Sequence, residues 1–405
     1  MMIQQALLIG GALIILGVLG YRFGLHRMLN LVPPKIRIAL KNTAVFSFVT
    51  SRFTPPKVGF TLRDAELSAA QAFMAANPII DSHAHPGRSF IKSARNLSFK
   101  IWLYKMLGGT FEDRTIADMR AGGVDGAVFN GVADIQLLTL GKTGLLSNRE
   151  FTPGEAWASY RRQIADLQAL ETDGLATICR SANDVRRAKA AAKVGMFLAM
   201  EGADFLENDL SRLQQVYDDG VRMLTLVHYH NNTLGDIMTG EIGKRGLTGF
   251  GREVVQAMNA TGLVVDMAHA SEQTVLDAVS VAKKPIVITH THINTASLSH
   301  PRFVNREVAQ AVAETGGYIG AWPAGIDATT LTQFIDRIDF LMQIVGEDHV
   351  AIGSDMDANY KPVLETYRKM PLVVGALLKR GYSDETLAGI MGGNVLRVME
   401  MAQAD

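Results

Sequence analysis

The chain has 405 residues, 48% of them hydrophobic, and its 40 basic residues balance 40 acidic ones. Such a chain can bury a large core, and zero net charge without a basic stripe among aromatic residues gives no support to nucleic-acid binding. The single cysteine, Cys179, excludes an internal disulfide framework and is predicted to be a small buried residue.

The N-terminal segment is apolar and free of charge. Residues 6–19 contain only Ala, Leu, Ile, Val and Gly, and the span 3–21 is long enough to cross a bilayer. We therefore expect a transmembrane helix at 3–21, contact with the lipid bilayer and a single-pass membrane protein. Basic residues such as Arg22 and Arg27 follow the span, so the positive-inside rule places the remainder on the cytoplasmic face. The predicted domains are an anchor with its linker at 1–57 and one catalytic domain at 58–405.

Apolar runs and amphipathic stretches alternate from Leu62 onward. Eight strands are predicted, with ends near Ile80, Asn130, Met200, Val227, Ala268, Thr289, Trp322 and Ser354. Helices are predicted over 153–171, 209–219, 252–260, 271–282, 305–315, 331–345 and 383–391, and a short edge strand over 176–180. The alternation predicts an α/β fold of the (β/α)8 TIM-barrel type, in which the carboxyl ends of the strands share one mouth.

Residues that can bind a metal stand at the ends of several apolar runs. His83 and His85 follow the apolar residues 78–80 and lie two positions apart, so both imidazoles can face one ion. Later runs end at Glu201, His269, His290 and Asp355. One such histidine alone is more often a core or surface residue, but core packing gives no reason for ionisable residues at one strand end after another. The pattern predicts a metal site at the mouth of the barrel.

A series of short motifs spans most of residues 78–398. In chain order they are Asp-Ser-His-Ala-His at 81–85, Glu-Gly at 201–202, Leu-Thr-Leu-Val-His at 224–228, Gly-Leu-Thr-Gly-Phe-Gly at 246–251, Asp-Met-Ala-His-Ala-Ser at 266–271, Thr-His at 289–290, Pro-Arg at 301–302, Gly-Ser-Asp at 353–355 and Gly-Gly-Asn at 392–394. Several ordered motifs are far more specific than any one of them. Their order resembles the membrane (renal) dipeptidase family of zinc metallopeptidases in the amidohydrolase superfamily.

The resemblance implies a centre of two divalent metal ions, with zinc as the expected metal. The ligands of the first ion would be His83, His85 and Asp355, and those of the second His269 and His290. Glu201 would bridge the two ions. One carboxylate shared by two cations also offsets charge that neutral imidazoles cannot.

The resemblance also implies how the centre acts. A hydroxide bridging the two ions would attack the peptide carbonyl, and Asp355 would receive its proton and pass it to the leaving amine. His228 would contact the scissile carbonyl oxygen, where a donor stabilises the tetrahedral oxyanion. Arg302 would bind the free carboxylate of the substrate. The alternatives for His228 and Arg302 are a packed histidine and a solvated surface arginine.

Two positions carry alternatives of their own. The family pattern has Asp where this chain has His85, which removes one negative charge and leaves metal preference, affinity and the pKa of bound water open. The sequence Thr-His-Thr-His at 289–292 offers two imidazoles, and both the family motif and the end of the apolar run favour His290 over His292. His300 is expected to be structural or exposed.

The sequence thus predicts a membrane-tethered zinc metallodipeptidase for dipeptides with a free C-terminal carboxylate. One alternative is hydrolysis of an N-acyl amino acid, a lactone or a β-lactam in the same centre. Another is a membrane-anchored binding protein without activity, which we expect to lack ligands that this chain has. Assembly as a homo-oligomer stays open. Candidates for substrate specificity in the loop after His228 are His230, Asn231, Asn232 and Asp236.

Overall fold

The structure is a computed structural model that describes residues 56–107, 110–141, 144–239, 245–326 and 328–404. Its strands are β1 (Ile80–Ala84), β2 (Gly126–Val132), β3 (Leu138–Leu140), β4 (Leu145–Ser147), β5 (Thr177–Ile178), β6 (Gly195–Glu201), β7 (Val221–Thr225), β8 (Val264–Asp266), β9 (Ile286–Thr291), β10 (Ile319–Ala321) and β11 (Val350–Ile352). Its α-helices are α1 (Asp64–Ala76), α2 (Ser89–Lys92), α3 (Phe99–Leu107), α4 (Glu112–Ala121), α5 (Glu155–Thr172), α6 (Ala182–Ala190), α7 (Arg212–Asp218), α8 (Gly249–Thr261), α9 (Glu272–Val281), α10 (Arg306–Glu314), α11 (Leu331–Val345), α12 (Met370–Lys379), α13 (Asp384–Ala388) and α14 (Asn394–Gln403).

Eight strands form a parallel barrel. Their order is β1, β2, β6, β7, β8, β9, β10 and β11, and each pairs in parallel with its neighbour in this series. At the seam between the last and the first strand, Ala84 and Met356 form a parallel bridge, and the backbone N of Asp355 donates to the carbonyl of His83 at 2.9 Å. The prediction of an eight-stranded α/β barrel is confirmed.

The strands are buried along their whole length because helices cover the outside of the barrel and side chains fill the inside. Every residue of β2 and β6 is buried. The glycines at 320 and 353 bring the last strands close to β9, since a Cβ at Gly320 or Gly353 would lie 1.7 or 1.9 Å from the carbonyl oxygen of Thr289. The backbone around Thr289 is therefore tightly held.

Side-chain caps explain why several helices begin where the sequence predicts. Thr248 accepts from the backbone N of Gly251 at the start of α8. Thr330 and Gln333 form a capping box at the start of α11. Gly262, with φ +86°, ends α8 in the left-handed conformation that glycine adopts freely.

Insertions wall the mouth of the barrel. After β1 the chain forms α2 and α3, and after β2 it forms the antiparallel hairpin of β3 and β4. Apolar side chains of both insertions pack together, among them Phe90, Ile101 and Leu138. The ring of Phe90 lies 5.0 Å from that of His85, so one insertion reaches the predicted metal site.

Two differences from the predicted elements lie next to the metal site or the start of β1. Strand β1 continues to Ala84 instead of ending near Ile80, so His83 lies inside it. The predicted helix at 383–391 is α-helical only to Ala388, where α13 ends, and its last three residues belong to a π-helical turn, Gly389–Gly393. A Cβ at Gly392 would lie 2.7 Å from the carbonyl oxygen of Pro78, so this turn approaches the start of β1 more closely than a regular helix with side chains could.

The structure does not support the predicted localisation as a single-pass membrane protein. In the described part of the chain, no helix has both the length and the apolar composition needed to cross a bilayer. The segment 3–21, on which the prediction rested, lies outside the described residues.

Candidate metal centre

The predicted ligands converge at the carboxyl ends of the barrel strands. They are His83 in β1, His85 directly after it, Glu201 at the end of β6, His269 after β8, His290 in β9 and Asp355 after β11. All of them are buried. A buried cluster of ionisable groups is unfavourable unless its members are paired or bind a ligand.

Glu201 lies at the centre of the cluster, and five imidazoles present Nε2 to its carboxylate. The distances to Oε1 are 2.8 Å for His269, 3.6 Å for His290 and 3.7 Å for His83. The distances to Oε2 are 3.4 Å for His228 and 3.7 Å for His85. One carboxylate thus contacts residues of both predicted ion sites.

Among the described residues, three groups of side chains could hold a cation, since the ligand atoms within each lie within 4.8 Å of one another. The groups are His83, His85 and Asp355, then His83, Glu201 and His290, then Glu201, His228 and His269. His83 and Glu201 each belong to two groups, so the three form one continuous centre.

Two of the predicted ligands have an unusual backbone conformation. His269 and Asp355 have φ of +68° and +53°, in the left-handed region that residues other than glycine rarely adopt. The backbone carbonyl of His269 accepts from Met238 N at 2.8 Å, and the Asp355 carboxylate accepts from Trp322 Nε1 at 3.2 Å. Such strain costs about 1–3 kcal/mol for each residue and is concentrated at functional sites.

Thr289 and Asp266 support the imidazoles from behind. The Thr289 hydroxyl donates to Asp266 Oδ2 at 2.8 Å and lies 3.1 Å from Nδ1 of both His83 and His290. Because the Nδ1 atoms face this hydroxyl, the Nε2 atoms face Glu201. Sequence reasoning missed this role of Thr289 and Asp266.

Asn130 gives the same support at the end of β2. Its side-chain amide lies 3.2 Å from His83 Nδ1, and its carbonyl oxygen lies 3.0 Å from His85 Nδ1. A hydrogen bond to the outer ring nitrogen fixes the tautomer and orientation of a metal-binding histidine. The sequence indicated Asn130 only as the end of a strand.

The protonation states suit a cation. Burial lowers the pKa of His83, His269 and His290 well below the ordinary range, and nearby imidazoles and Arg302 lower it further. These rings are therefore neutral, the form that binds metals. Burial raises the pKa of Glu201 to about 7, although His228 and His85 lower it. A bound cation would favour the ionised form.

A buried ring nitrogen without a hydrogen-bond partner also indicates a cation site. His83 Nε2 is buried and has no hydrogen-bond partner among the described residues. Buried polar atoms without partners are rare in folded proteins. Neutral imidazole nitrogens and carboxylates are also ligands that zinc prefers. The residues present fit the divalent ions that the sequence predicts.

Arg302 is buried beside the cluster and is not a solvated surface residue. Its Nη2 donates to Nε2 of His269 and of His290, at 3.0 Å in both cases. The guanidinium lies 5.2 Å from the ring centre of Trp322. No carboxylate of the described residues lies within salt-bridge distance of it. Its charge is therefore free to meet an anionic group that enters the mouth.

Asp134 is a site residue that sequence reasoning missed. Its Oδ1 lies 2.6 Å from His228 Nδ1, and its Oδ2 accepts from the backbone N of Tyr229 at 3.1 Å. Burial lowers the pKa of His228, but Asp134 and Glu201 raise it to about 9. Asp134 lies two residues after the end of β2, so the rule that found the other strand-end residues could have found it too.

Two further histidines lie apart from the cluster. His292 is buried against the rings of Phe303 and Phe340 and belongs to none of the three cation-binding groups. The structure thus brings His290 to the centre and not His292. His300 accepts at Nδ1 from the backbone N of Arg302, in line with the predicted structural role.

The polar residues of the loop after β7 are bonded within their surroundings. The contacts are His230 Nδ1 to Asp204 Oδ1 at 2.7 Å, Ile237 N to Asn231 Oδ1 at 2.7 Å, Asn232 Nδ2 to Leu226 O at 2.9 Å and Arg245 Nη2 to Asp236 Oδ1 at 2.6 Å. These bonds give the loop a defined shape beside His228. The predicted part of these residues in specificity stays a prediction.

A parallel eight-stranded barrel with buried imidazoles and carboxylates at its strand ends is the architecture of an amidohydrolase-type metal-dependent hydrolase. Residues 67–405 match the model of the membrane dipeptidase family, peptidase family M19, and the chain belongs to this family. The predicted family is confirmed. So is the predicted enzyme class, since the chain is an enzyme that hydrolyses dipeptides.

Fungal proteins are among its relatives. The dipeptidase tcpJ of Claviceps purpurea is 34% identical over 294 residues, which cover 66% of this chain and 69% of the relative. The dipeptidase verJ of Clonostachys rogersoniana is 29% identical over 234 residues, which cover 56% of this chain and 60% of the relative.

Solved structures share the fold. The probable dipeptidase PvdM from Pseudomonas aeruginosa has a TM-score of 0.68 at 20% identity, over 84% of this chain and 99% of that one. A metallo peptidase from Rhodobacter sphaeroides, liganded with a phosphinate mimic of the dipeptide L-Ala-D-Ala, has a TM-score of 0.64 at 21% identity, over 80% of this chain and 99% of that one.

Proposed function

We propose that the chain hydrolyses dipeptides with a free C-terminal carboxylate at a centre of two divalent ions, with zinc as the expected metal. The observation that carries the proposal is the position of Glu201, whose carboxylate contacts His85 on one side and His269 on the other. The first ion would be held by His83, His85, Glu201 and Asp355, and the second by Glu201, His269 and His290. Bound ions would lower the pKa of a water molecule and polarise the peptide carbonyl.

The residues of the chain would then move the protons. As the oxygen of the water molecule attacks the carbonyl carbon, Asp355 accepts a proton and returns one to the nitrogen of the leaving amine when the C–N bond breaks. Trp322 Nε1 donates to the Asp355 carboxylate and so fixes its orientation. His228 Nε2 donates to the carbonyl oxygen, whose negative charge grows in the transition state.

Arg302 would bind the C-terminal carboxylate of the substrate. Its guanidinium is buried and no carboxylate of the described residues pairs with it, so an entering carboxylate offers the missing partner. The dipeptide mimic in the Rhodobacter sphaeroides enzyme supports a dipeptide as substrate.

The experiment combines metal analysis of the purified protein with hydrolysis of a dipeptide and of its C-terminal amide. We expect close to two divalent ions per chain, hydrolysis of the dipeptide and little hydrolysis of the amide. Full activity in metal-free protein would contradict the metal centre. Equal rates on both substrates would contradict the need for a free carboxylate and would favour another amide or ester substrate.

A further inference from the structure

Asp134 is a fully buried carboxylate at the mouth of the barrel, and the proposed reaction gives it no part. It lies two residues after the end of β2 and directly precedes the 3₁₀-helix Ile135–Leu137. Burying a carboxylate is unfavourable unless hydrogen bonds compensate for the lost water. Its two oxygens are bonded to the loop after β7, one to His228 Nδ1 at 2.6 Å and the other to Tyr229 N at 3.1 Å.

The contact with His228 decides which ring nitrogen faces the centre. A distance of 2.6 Å is short for a hydrogen bond between nitrogen and oxygen, as expected when a carboxylate accepts. Because Asp134 occupies Nδ1, only Nε2 can face the reacting groups, and it lies 3.4 Å from Glu201 Oε2. The rings of Tyr229 and His269 pack edge-on against the imidazole, with centroids 4.5 and 4.4 Å away, so its plane is fixed as well.

We propose that Asp134 is a positioning residue: it holds His228 so that Nε2 faces the carbonyl oxygen of the substrate. The inference rests on the proposed function, since it requires that His228 contact the substrate. Asp134 contacts Nδ1, the ring nitrogen away from the substrate. A carboxylate orients the catalytic histidine of Ser-His-Asp triads through the same contact. Among the described residues, its carboxylate is bonded to the side chain of His228 and to the backbone N of Tyr229, and neither residue is a predicted metal ligand.

A double-mutant cycle on a dipeptide substrate tests this. Asp134→Asn should lower kcat by about 10- to 100-fold and change KM by less than about threefold. In a His228→Asn background, the same substitution should change kcat by less than about twofold, because Asp134 then has no ring to orient. Equal losses of kcat in the two backgrounds would overturn the proposal.

Asp204 provides a matched control. It is a buried carboxylate after β6 that bonds to another imidazole, His230, and not to His228. Asp204→Asn removes the same charge nearby and should leave kcat within about threefold of the wild type. A loss as large as that of Asp134→Asn would overturn the proposal, because any nearby change of charge would then suffice.

Two measurements separate this inference from the proposed function. In ¹⁵N-histidine NMR spectra, the His228 signals, assigned by their loss in His228→Asn, should show a protonated Nδ1 that changes in Asp134→Asn, with or without substrate. Bound metal, measured by elemental analysis, should stay constant in Asp134→Asn; its loss would overturn the proposal by making His228 a metal ligand. Absence of dipeptide hydrolysis in the wild type would contradict the proposed function alone.

If Asp134→Asn does not fold, Asp134→Ser replaces it in the cycle. Failure of both variants to fold would overturn the proposal, because Asp134 would then stabilise the barrel and not a ring orientation.

Discussion

Glu201 Oε1 and His269 Nε2 lie 2.8 Å apart inside the barrel mouth, although Glu201 ends β6 and His269 follows β8, and neither is exposed. Burial favours the neutral form of both groups, since the pKa of Glu201 rises and that of His269 falls. A divalent cation between the surrounding ligands would favour the ionised carboxylate and bind to the lone pairs of the neutral rings. Substituting a residue of this pair therefore tests metal binding directly.

Glu201→Gln should remove most of the bound metal and lower dipeptidase activity by about 100-fold or more, because the amide cannot bridge two cations. Elemental analysis and a hydrolysis assay on the same preparation measure both effects. Glu253→Gln, on an exposed position of α8, is the matched control and should change neither. Wild-type metal content in Glu201→Gln would contradict the assigned role.

His85 tests the departure from the family pattern. It lies 3.4 Å from Asp355 and 3.7 Å from Glu201, and both contacts favour a role at the first ion. His85→Asp should keep metal binding and measurable activity and shift the preference among divalent metals, because it replaces an imidazole with a carboxylate. His85→Ala should empty the first site. Competition between zinc and manganese, followed by elemental analysis, measures the preference, and unchanged zinc content in the alanine variant would show that His85 is only a neighbour.

Arg302→Lys should lower kcat/KM on a dipeptide by about 10- to 1000-fold, because lysine cannot reproduce the two parallel hydrogen bonds of a guanidinium with a carboxylate. The C-terminal amide of the same dipeptide should be a poor substrate for both proteins and respond little to the substitution. Kinetics of the two proteins on the two substrates complete the cycle. Equal losses on both substrates would mean that Arg302 stabilises the structure instead.

His230 should make stability depend on pH. Burial lowers its pKa, but the carboxylates of Asp204 and Glu150 raise it to about 9. Since the folded pKa exceeds the unfolded value of about 6.5, the stabilisation is present in full below about pH 6.5 and lost as the pH rises through about 9. Glu150 is 85% exposed, so solvent screens part of its contribution.

We expect the free energy of unfolding to fall by roughly 1–2 kcal/mol between about pH 6.5 and 9, and His230→Gln to flatten this change. Urea unfolding at several pH values in this interval measures it. An equally steep decline in the variant would assign the dependence to another group.

The eight strands and the convergence of the predicted ligands could be predicted from the sequence. In a parallel barrel, an ionisable residue at the end of an apolar run lies at the mouth, where the carboxyl ends of the strands meet. Glu201 and His290 could therefore be placed from the local sequence pattern alone. Thr289, Asp266 and Asn130 could not, because their roles are hydrogen bonds between strands that are distant in sequence.

The unusual backbone conformations also could not be predicted from the sequence. The left-handed conformations of His269 and Asp355 arise from contacts at the mouth and not from residue type, since neither is glycine. The π-helical turn at Gly389–Gly393 follows from its close approach to β1, which the helical period of 383–391 does not show. The membrane helix was predicted from the composition of residues 3–21 alone. No helix among the described residues is long and apolar enough to support that prediction.

The seam of the barrel brings together two proposed ligands of the first ion that are far apart in the sequence. His83 and Asp355 meet there through a backbone hydrogen bond, yet they stand near opposite ends of the barrel sequence. During synthesis, a ribosome must release nearly the whole barrel before the proposed first ion could have its complete set of ligands. A nascent or C-terminally truncated chain would lack that set, so occupancy of the first site would report that the barrel has closed.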